Sequence, residues 1–223
     1  MDDKNNVKNK ALKLLDGAYD LESPEDNIVY YKNFSKDYDD VFASGLEYIY
    51  PKYVADEFIQ NHNNNGSICD IGCGTGLVAN ELKYINSNLI IDGFDISPDM
   101  IDVARDKNIY RNLYEIDLTK PIRNVPNNYS GIISAGAFTH GHLGPEIIKE
   151  LLSICVEGAI LTIGINAIHY KEKGFENFFH NLEIIKKIKM KKISNSSIYS
   201  KNQTTDNKKN NMAIITVFEK IKS

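Results

Sequence analysis

Residues 68–77, Ile68-Cys69-Asp70-Ile71-Gly72-Cys73-Gly74-Thr75-Gly76-Leu77, carry an acidic side chain out of an apolar run straight into three alternate glycines. Glycines admit positive φ and let a ligand lie against bare backbone, and the unpaired N–H groups of the helix start that follows favour electron-rich ligand atoms. A dinucleotide fingerprint needs Gly-x-Gly-x-x-Gly, whereas here the third glycine comes one residue early and Leu77 follows it. Asp70 suits a cationic ligand, because it would repel a pyrophosphate at close range.

Two further apolar runs end in carboxylates. Leu89-Ile90-Ile91-Asp92-Gly93-Phe94-Asp95 brings Asp95 to the place, about twenty residues past the turn, of a ribose-binding carboxylate in nucleotide-binding βαβ units. A carboxylate can accept from both ribose hydroxyls. Capping the next helix is its alternative role, although Ser97 fits the N-cap better, with Pro98 at the first helical position. Leu113-Tyr114-Glu115-Ile116-Asp117-Leu118 ends in a third carboxylate, and Tyr129 to Ala135 leads into Gly136-Ala137-Phe138-Thr139-His140-Gly141-His142. Open parallel sheets bind ligands beyond the carboxyl ends of their strands, so these loops converge on one edge.

The run Asp70 to Gly76 resembles the first motif of class I S-adenosylmethionine-dependent methyltransferases. That resemblance implies S-adenosylmethionine as cofactor, with Asp70, Gly72, Cys73, Gly74 and Gly76 around its methionine end. It implies Asp95 at the ribose, Ile96 on an adenine face and Asp117 at the adenine amino group, with Leu118 and Ala135 completing the cofactor set. Tyr31-Lys32-Asn33-Phe34-Ser35-Lys36-Asp37-Tyr38-Asp39, the Gly136 to Leu143 loop and Tyr170-Lys171-Glu172 resemble, more narrowly, the methyltransferase-like proteins named for the Williams-Beuren chromosomal region. Phe34 departs from that pattern by standing where an indole is usual, which keeps an aromatic wall and removes an N–H donor. Tyr31 and Tyr38 are then either a lid over the cofactor's amino-acid end or an aromatic helix face packed on the core.

Methyl transfer from a sulfonium needs alignment and exclusion of water, not a nucleophilic side chain. A hydroxyl or protonated-amine acceptor also needs a base, and His140 and His142 sit in sequence beside the expected reaction centre; shaping the loop is their other role. His140-Gly141-His142 lacks a third ligand, so no metal is expected. Base-flipping amino methyltransferases carry Asn/Asp-Pro-Pro-aromatic after the fourth strand, where this chain has Ala135-Gly136-Ala137-Phe138, and no cysteine stands there for pyrimidine-carbon methylation. The expected acceptor is a small molecule, with a protein side chain second and nucleic acid disfavoured. A noncatalytic cofactor-binding or scaffold protein and a nicotinamide oxidoreductase are the alternatives.

Placing these residues together takes an α/β, doubly wound, Rossmann-like sheet of seven mostly parallel strands. After the four strands above, Gly158 to Ile165 reads as a buried fifth, and Ile193 to Ser200 pairs with Met212 to Phe218 as a C-terminal antiparallel hairpin around polar residues 201–211. Val7, Ala11, Leu14, Leu15 and Ala18 recur at helical spacing, Ser23 is an N-cap for a second helix, and Tyr31, Phe34, Tyr38 and Phe42 continue a helical period to Leu46. Pro51 opens the helix before the first strand, and further helices are expected over 144–156 and from Phe175 to Ile185. Residues 1–50 thus read as an N-terminal helical cap, and the resemblance implies that 51–223 are a class I methyltransferase domain.

The 223 residues, 42% hydrophobic, supply core for one domain with a small cap. Cys69, Cys73 and Cys155 are odd in number and lack zinc-ligand spacing, which suits reduced thiols and a cytoplasmic location. No charged-then-apolar leader or bilayer-length apolar run is present, so no membrane partner is expected. The net charge of −4 is uneven, with twelve lysines against five acidic residues from 161 onward. Lys186 to Lys192 alternates partly with apolar residues, as on a solvated helix end or an edge strand, where lysines discourage aggregation. Oligomeric state is left open.

Overall fold

The computed structural model describes residues 7, 10–14, 17, 24–63, 65–139, 142–200 and 211–221. Seven strands, β1 Ser67–Ile71, β2 Ile90–Asp95, β3 Asn112–Glu115, β4 Tyr129–Phe138, β5 Cys155–Asn166, β6 Ile188–Ser197 and β7 Met212–Lys220, form one sheet in the order β3-β2-β1-β4-β5-β7-β6. β1 to β5 pair in parallel, and β7 runs antiparallel to both β5 and β6. The chain builds outward from β1 to β3, then crosses back to place β4 on β1's other side. Strand order therefore reverses between β1 and β4, which opens a crevice at their carboxyl ends.

The helices are α1 Pro24–Lys32, α2 Tyr50–Asn61, α3 Leu77–Ile85, α4 Pro98–Asp106, α5 Ile147–Ser153, α6 Ala167–Glu172 and α7 Phe175–Ile184. Strand alternation splits the core in two: Cys69, Phe94 and Ile132 pack with Ile148, Leu151 and Phe179 on one face, while Ile68, Ile91 and Ile133 pack with Val54, Phe58 and Leu82 on the other. This is the doubly wound arrangement, and burial of every residue of β1 follows from cover on both faces.

Several boundaries differ from the sequence reading. β6 begins at Ile188, five residues before the expected Ile193, so the lysine-rich run is an edge strand. Lys191 and Lys192 there reach Glu219 and Glu57 at 2.9 and 2.6 Å. β4 continues past Ala135 to Phe138, and the helix expected over 144–156 is shortened to α5 because Cys155 already pairs with Tyr129. The Tyr31 to Leu46 period is not one helix: α1 stops at Lys32, a 3₁₀ turn covers Ser35–Asp37, and a π-helix runs Tyr38–Ala43. The aromatic spacing survives this break, since Phe34–Tyr38 and Tyr38–Phe42 ring centroids lie 5.3 and 5.0 Å apart. Packing these rings against each other overrides a uniform helical repeat, and π turns of this kind concentrate at functional sites. Val7, residues 10–14 and Gly17 are helical as expected, whereas Leu15, Ala18 and Ser23 lie outside the described residues.

Candidate active site

The turn after β1 needs left-handed backbone at Gly72 and Gly74, with φ of +63° and +52°. At Gly72 a side chain is also excluded by space, because a Cβ would lie 2.4 Å from that of Ala137 on β4. Asp95, at the end of β2, fastens this turn. Its Oδ2 accepts from the Gly74 N–H at 2.7 Å and its Oδ1 from the Ser97 N–H at 2.9 Å. Ser97 takes the N-cap role instead, its hydroxyl accepting from the Met100 N–H, with Pro98 opening α4. Burial raises the pKa of Asp95, against the opposing pull of the Ser97, Gly74 and Ile96 N–H groups.

Gly72, Gly74, Asp95, Ile96, Asp117, Leu118 and Ala135 line one cavity at this sheet edge, with Tyr31 and Tyr38 also on its wall. The same two rings belong to the aromatic stack around Phe34. Asp117 is held by its own loop: Oδ1 accepts from the Thr119 N–H and hydroxyl, and Oδ2 pairs with Lys120 at 2.7 Å. Burial would raise its pKa, but Lys120 and Thr119 prevail and keep it below the ordinary carboxylate value.

Asp70, Cys73 and Gly76 do not line this cavity. Asp70 is 1% exposed and accepts from the Tyr110 hydroxyl at 2.8 Å. Burial pushes its pKa up to about 7, with Tyr110 opposing. Gly76 also packs against Tyr110, whose ring would sit 2.9 Å from a Cβ there, and Cys73 is buried, with its thiol pKa pushed up by burial. The alternate glycines therefore divide, Gly72 and Gly74 turning to the cavity and Gly76 to Tyr110. Met100, Ile116, Thr119, Gly136, Ala137 and Leu143 also line the cavity and were not singled out from sequence. Their apolar or loop character gave no chemical signal, although Ile116 and Thr119 flank the acidic strand end that did.

The N-terminal segment is tied to the glycine turn through Asp39. Its Oδ1 accepts from the Thr75 hydroxyl at 2.6 Å and its Oδ2 pairs with Lys107. Thr75 is 1% exposed, so Asp39→Ala would leave a buried hydroxyl without its acceptor. That variant should lose about 1–3 kcal/mol in urea unfolding. An unchanged midpoint would show that the tie carries no stability.

His142 lines the same cavity, and its Nε2 is buried without a hydrogen-bond partner among the described residues. Burial, and then the charge of His169, lower its pKa to about 4, so the imidazole is neutral at pH 7. His140 and Gly141 lie outside the described residues. Among the described residues no group of three or more His, Cys, Asp or Glu is arranged to hold a metal ion. No described helix is long and apolar enough to cross a membrane.

Residues 68–158, spanning the glycine turn and the strand ends on both sides of it, match the family model described as a methyltransferase domain. The chain has the α/β, Rossmann-like methyltransferase fold. Human methyltransferase-like protein 27 is 29% identical over 150 residues, covering 64% of this chain and 60% of that protein. The human protein named probable tRNA methyltransferase 9B is 30% identical over 125 residues, covering 54% of this chain and 26% of that protein. The matched stretch thus spans less than two thirds of these relatives' own length. Among solved structures, an S-adenosylmethionine-dependent methyltransferase assignment from Methanococcus maripaludis superposes with a TM-score of 0.59 at 17% identity, covering 86% of this chain and 94% of that one.

Proposed function

We propose that this chain is an S-adenosylmethionine-dependent methyltransferase acting on a small molecule. The observation that carries the reading is Asp95, fastened to the glycine turn at the wall of the cavity. A carboxylate so disposed matches a ribose diol. Bare backbone at Gly72 and Gly74 admits the methionine end, and Ile96, Met100 and Leu118 offer apolar surface for an adenine. Asp117 lines the same cavity, where the resemblance would use it for the adenine amino group.

When bound, S-adenosylmethionine supplies a methyl carbon already activated by its sulfonium. The chain's own residues then have to bind, orient and keep water out, a task to which Tyr31 and Tyr38 on the cavity wall are suited. Buried Asp70 would favour a cationic over a neutral ligand through its field when ionised. The stretch shared with methyltransferase-like protein 27 supports kinship with the methyltransferase-like group, and three buried free thiols suit a reducing, cytoplasmic setting.

Thermal melting tests the cofactor. S-adenosylmethionine and S-adenosylhomocysteine at about a hundred times their dissociation constants should stabilise the fold by roughly 2.7 kcal/mol. A larger upward shift with a nicotinamide dinucleotide would overturn the reading. Methyl-labelled cofactor with cell extracts then separates an enzyme from a noncatalytic binder, since only an enzyme passes label to an acceptor.

A further inference from the structure

A second cavity adjoins the first, and Tyr31, Tyr38, Gly136 and His142 line both. The rest of its lining is strongly aromatic, with Phe42, Tyr48, Tyr50, Phe138 and Tyr199. Thr139 and Asn166 add neutral polar groups, and no Lys, Arg, Asp or Glu stands among the described residues that line it. An anionic ligand seated there would be buried without a counter-charge, which is costly, and a cation would meet ring faces but no described carboxylate. Flat aromatic walls favour a ring.

Two of the lining side chains hold buried polar atoms with no hydrogen-bond partner among the described residues, the Tyr50 hydroxyl and His142 Nε2. Buried polar atoms are ordinarily paired, so two such atoms from side chains of one cavity point to a ligand that pairs them. The seat of Tyr50 is specific. Its hydroxyl oxygen rests over Gly164 of β5, where a Cβ would lie only 2.0 Å away.

Building on the methyltransferase reading, we propose that this second cavity is the acceptor site and takes an uncharged ring compound whose nucleophile is a hydroxyl, paired by the Tyr50 hydroxyl and His142 Nε2. The acceptor oxygen forms its bond to the methyl carbon as the carbon–sulfur bond breaks. Sulfur keeps that bonding pair and becomes a neutral thioether. The hydroxyl proton passes to His142 Nε2 and on to solvent, leaving a methyl ether. A phosphate-bearing polymer finds no described cation in this lining, and an ammonium-bearing side chain finds ring faces but no described carboxylate.

The test measures binding of naphthol, naphthyl phosphate and naphthylmethylammonium to the full chain by naphthalene emission, with S-adenosylhomocysteine binding followed separately by calorimetry. Naphthol should bind at least about tenfold tighter than either charged analogue, and should become methylated when methyl-labelled S-adenosylmethionine is added. Tyr50→Phe should weaken naphthol by about five- to tenfold while leaving S-adenosylhomocysteine affinity and the melting temperature undiminished. A hydroxyl with a purely structural bond would instead lower the melting temperature when removed. Equal or tighter binding of a charged analogue overturns the proposal, as does absent naphthol binding in protein that binds S-adenosylhomocysteine, or methylation of added transfer RNA in preference to naphthol. Naphthol binding in protein that fails to bind S-adenosylhomocysteine would support the ring site and overturn the methyltransferase reading instead.

Discussion

Asp95→Ala is expected to weaken S-adenosylmethionine binding by about ten- to a hundredfold, the equivalent of losing hydrogen bonds to a charged acceptor. The structure adds a second loss. Each Asp95 oxygen already accepts a backbone N–H, from Gly74 and from Ser97, so alanine also releases the glycine turn from the end of β2. Asp95→Asn should for this reason fail to rescue binding. An amide has only one acceptor oxygen, and its NH2 would face whichever of the two N–H groups that oxygen does not serve. Calorimetric titration of both variants checks this, with the melting curve of the free protein as control. Retention of wild-type affinity by the asparagine variant would mean that neither the second turn bond nor the carboxylate's charge carries cofactor affinity.

The elements around this carboxylate were legible because each announces itself in one dimension. Alternate glycines after an apolar run, acidic residues at strand ends, and Ser97-Pro98 at a helix start are local patterns with local causes. Asp70 shows where such reading stops. Its place before the turn suggests direct contact with the ligand, yet within β1 it is buried on both sides and meets Tyr110, forty residues away, which lies just before β3. No periodicity pairs those two residues; the parallel register of β1, β2 and β3 brings them together. The same holds for Asp39 and Thr75, which join the N-terminal segment to the turn across the fold. The aromatic line from Tyr31 to Phe42 was legible as spacing but not as a broken helix, because the π turn depends on how the rings pack. The lysine-rich run before Ile193 left helix and edge strand both open, and its pairing with β7 decides for the strand.

His142→Ala is expected to leave cofactor affinity nearly unchanged and to slow methylation of a hydroxyl acceptor by about 10²–10⁴-fold, the range for loss of a positioned base. The side chain lines both cavities, and its Nε2 has no other partner among the described residues. The pH dependence follows from its burial and from His169, which lies nearby with its own Nε2 donating to the Leu143 carbonyl. A base works when unprotonated, so a pKa near 4 keeps His142 competent far below the ordinary histidine range, and the rate should fall only as pH approaches 4. Stability carries the same signature. The unfolded chain takes up this proton below about 6.5 and the folded chain does not until about 4, so the stability present above pH 6.5 is lost as pH falls through that window. The full loss is on the order of 3 kcal/mol. The alanine variant should lack that contribution, and the difference between wild type and variant in urea unfolding across the window measures it, because Asp70, its pKa pushed up to about 7, adds a slope of opposite sign to both. A pH-independent difference between variant and wild type would place the titration elsewhere, and full turnover of a hydroxyl acceptor by the same variant would leave His142 shaping the cavity while alignment alone drives transfer.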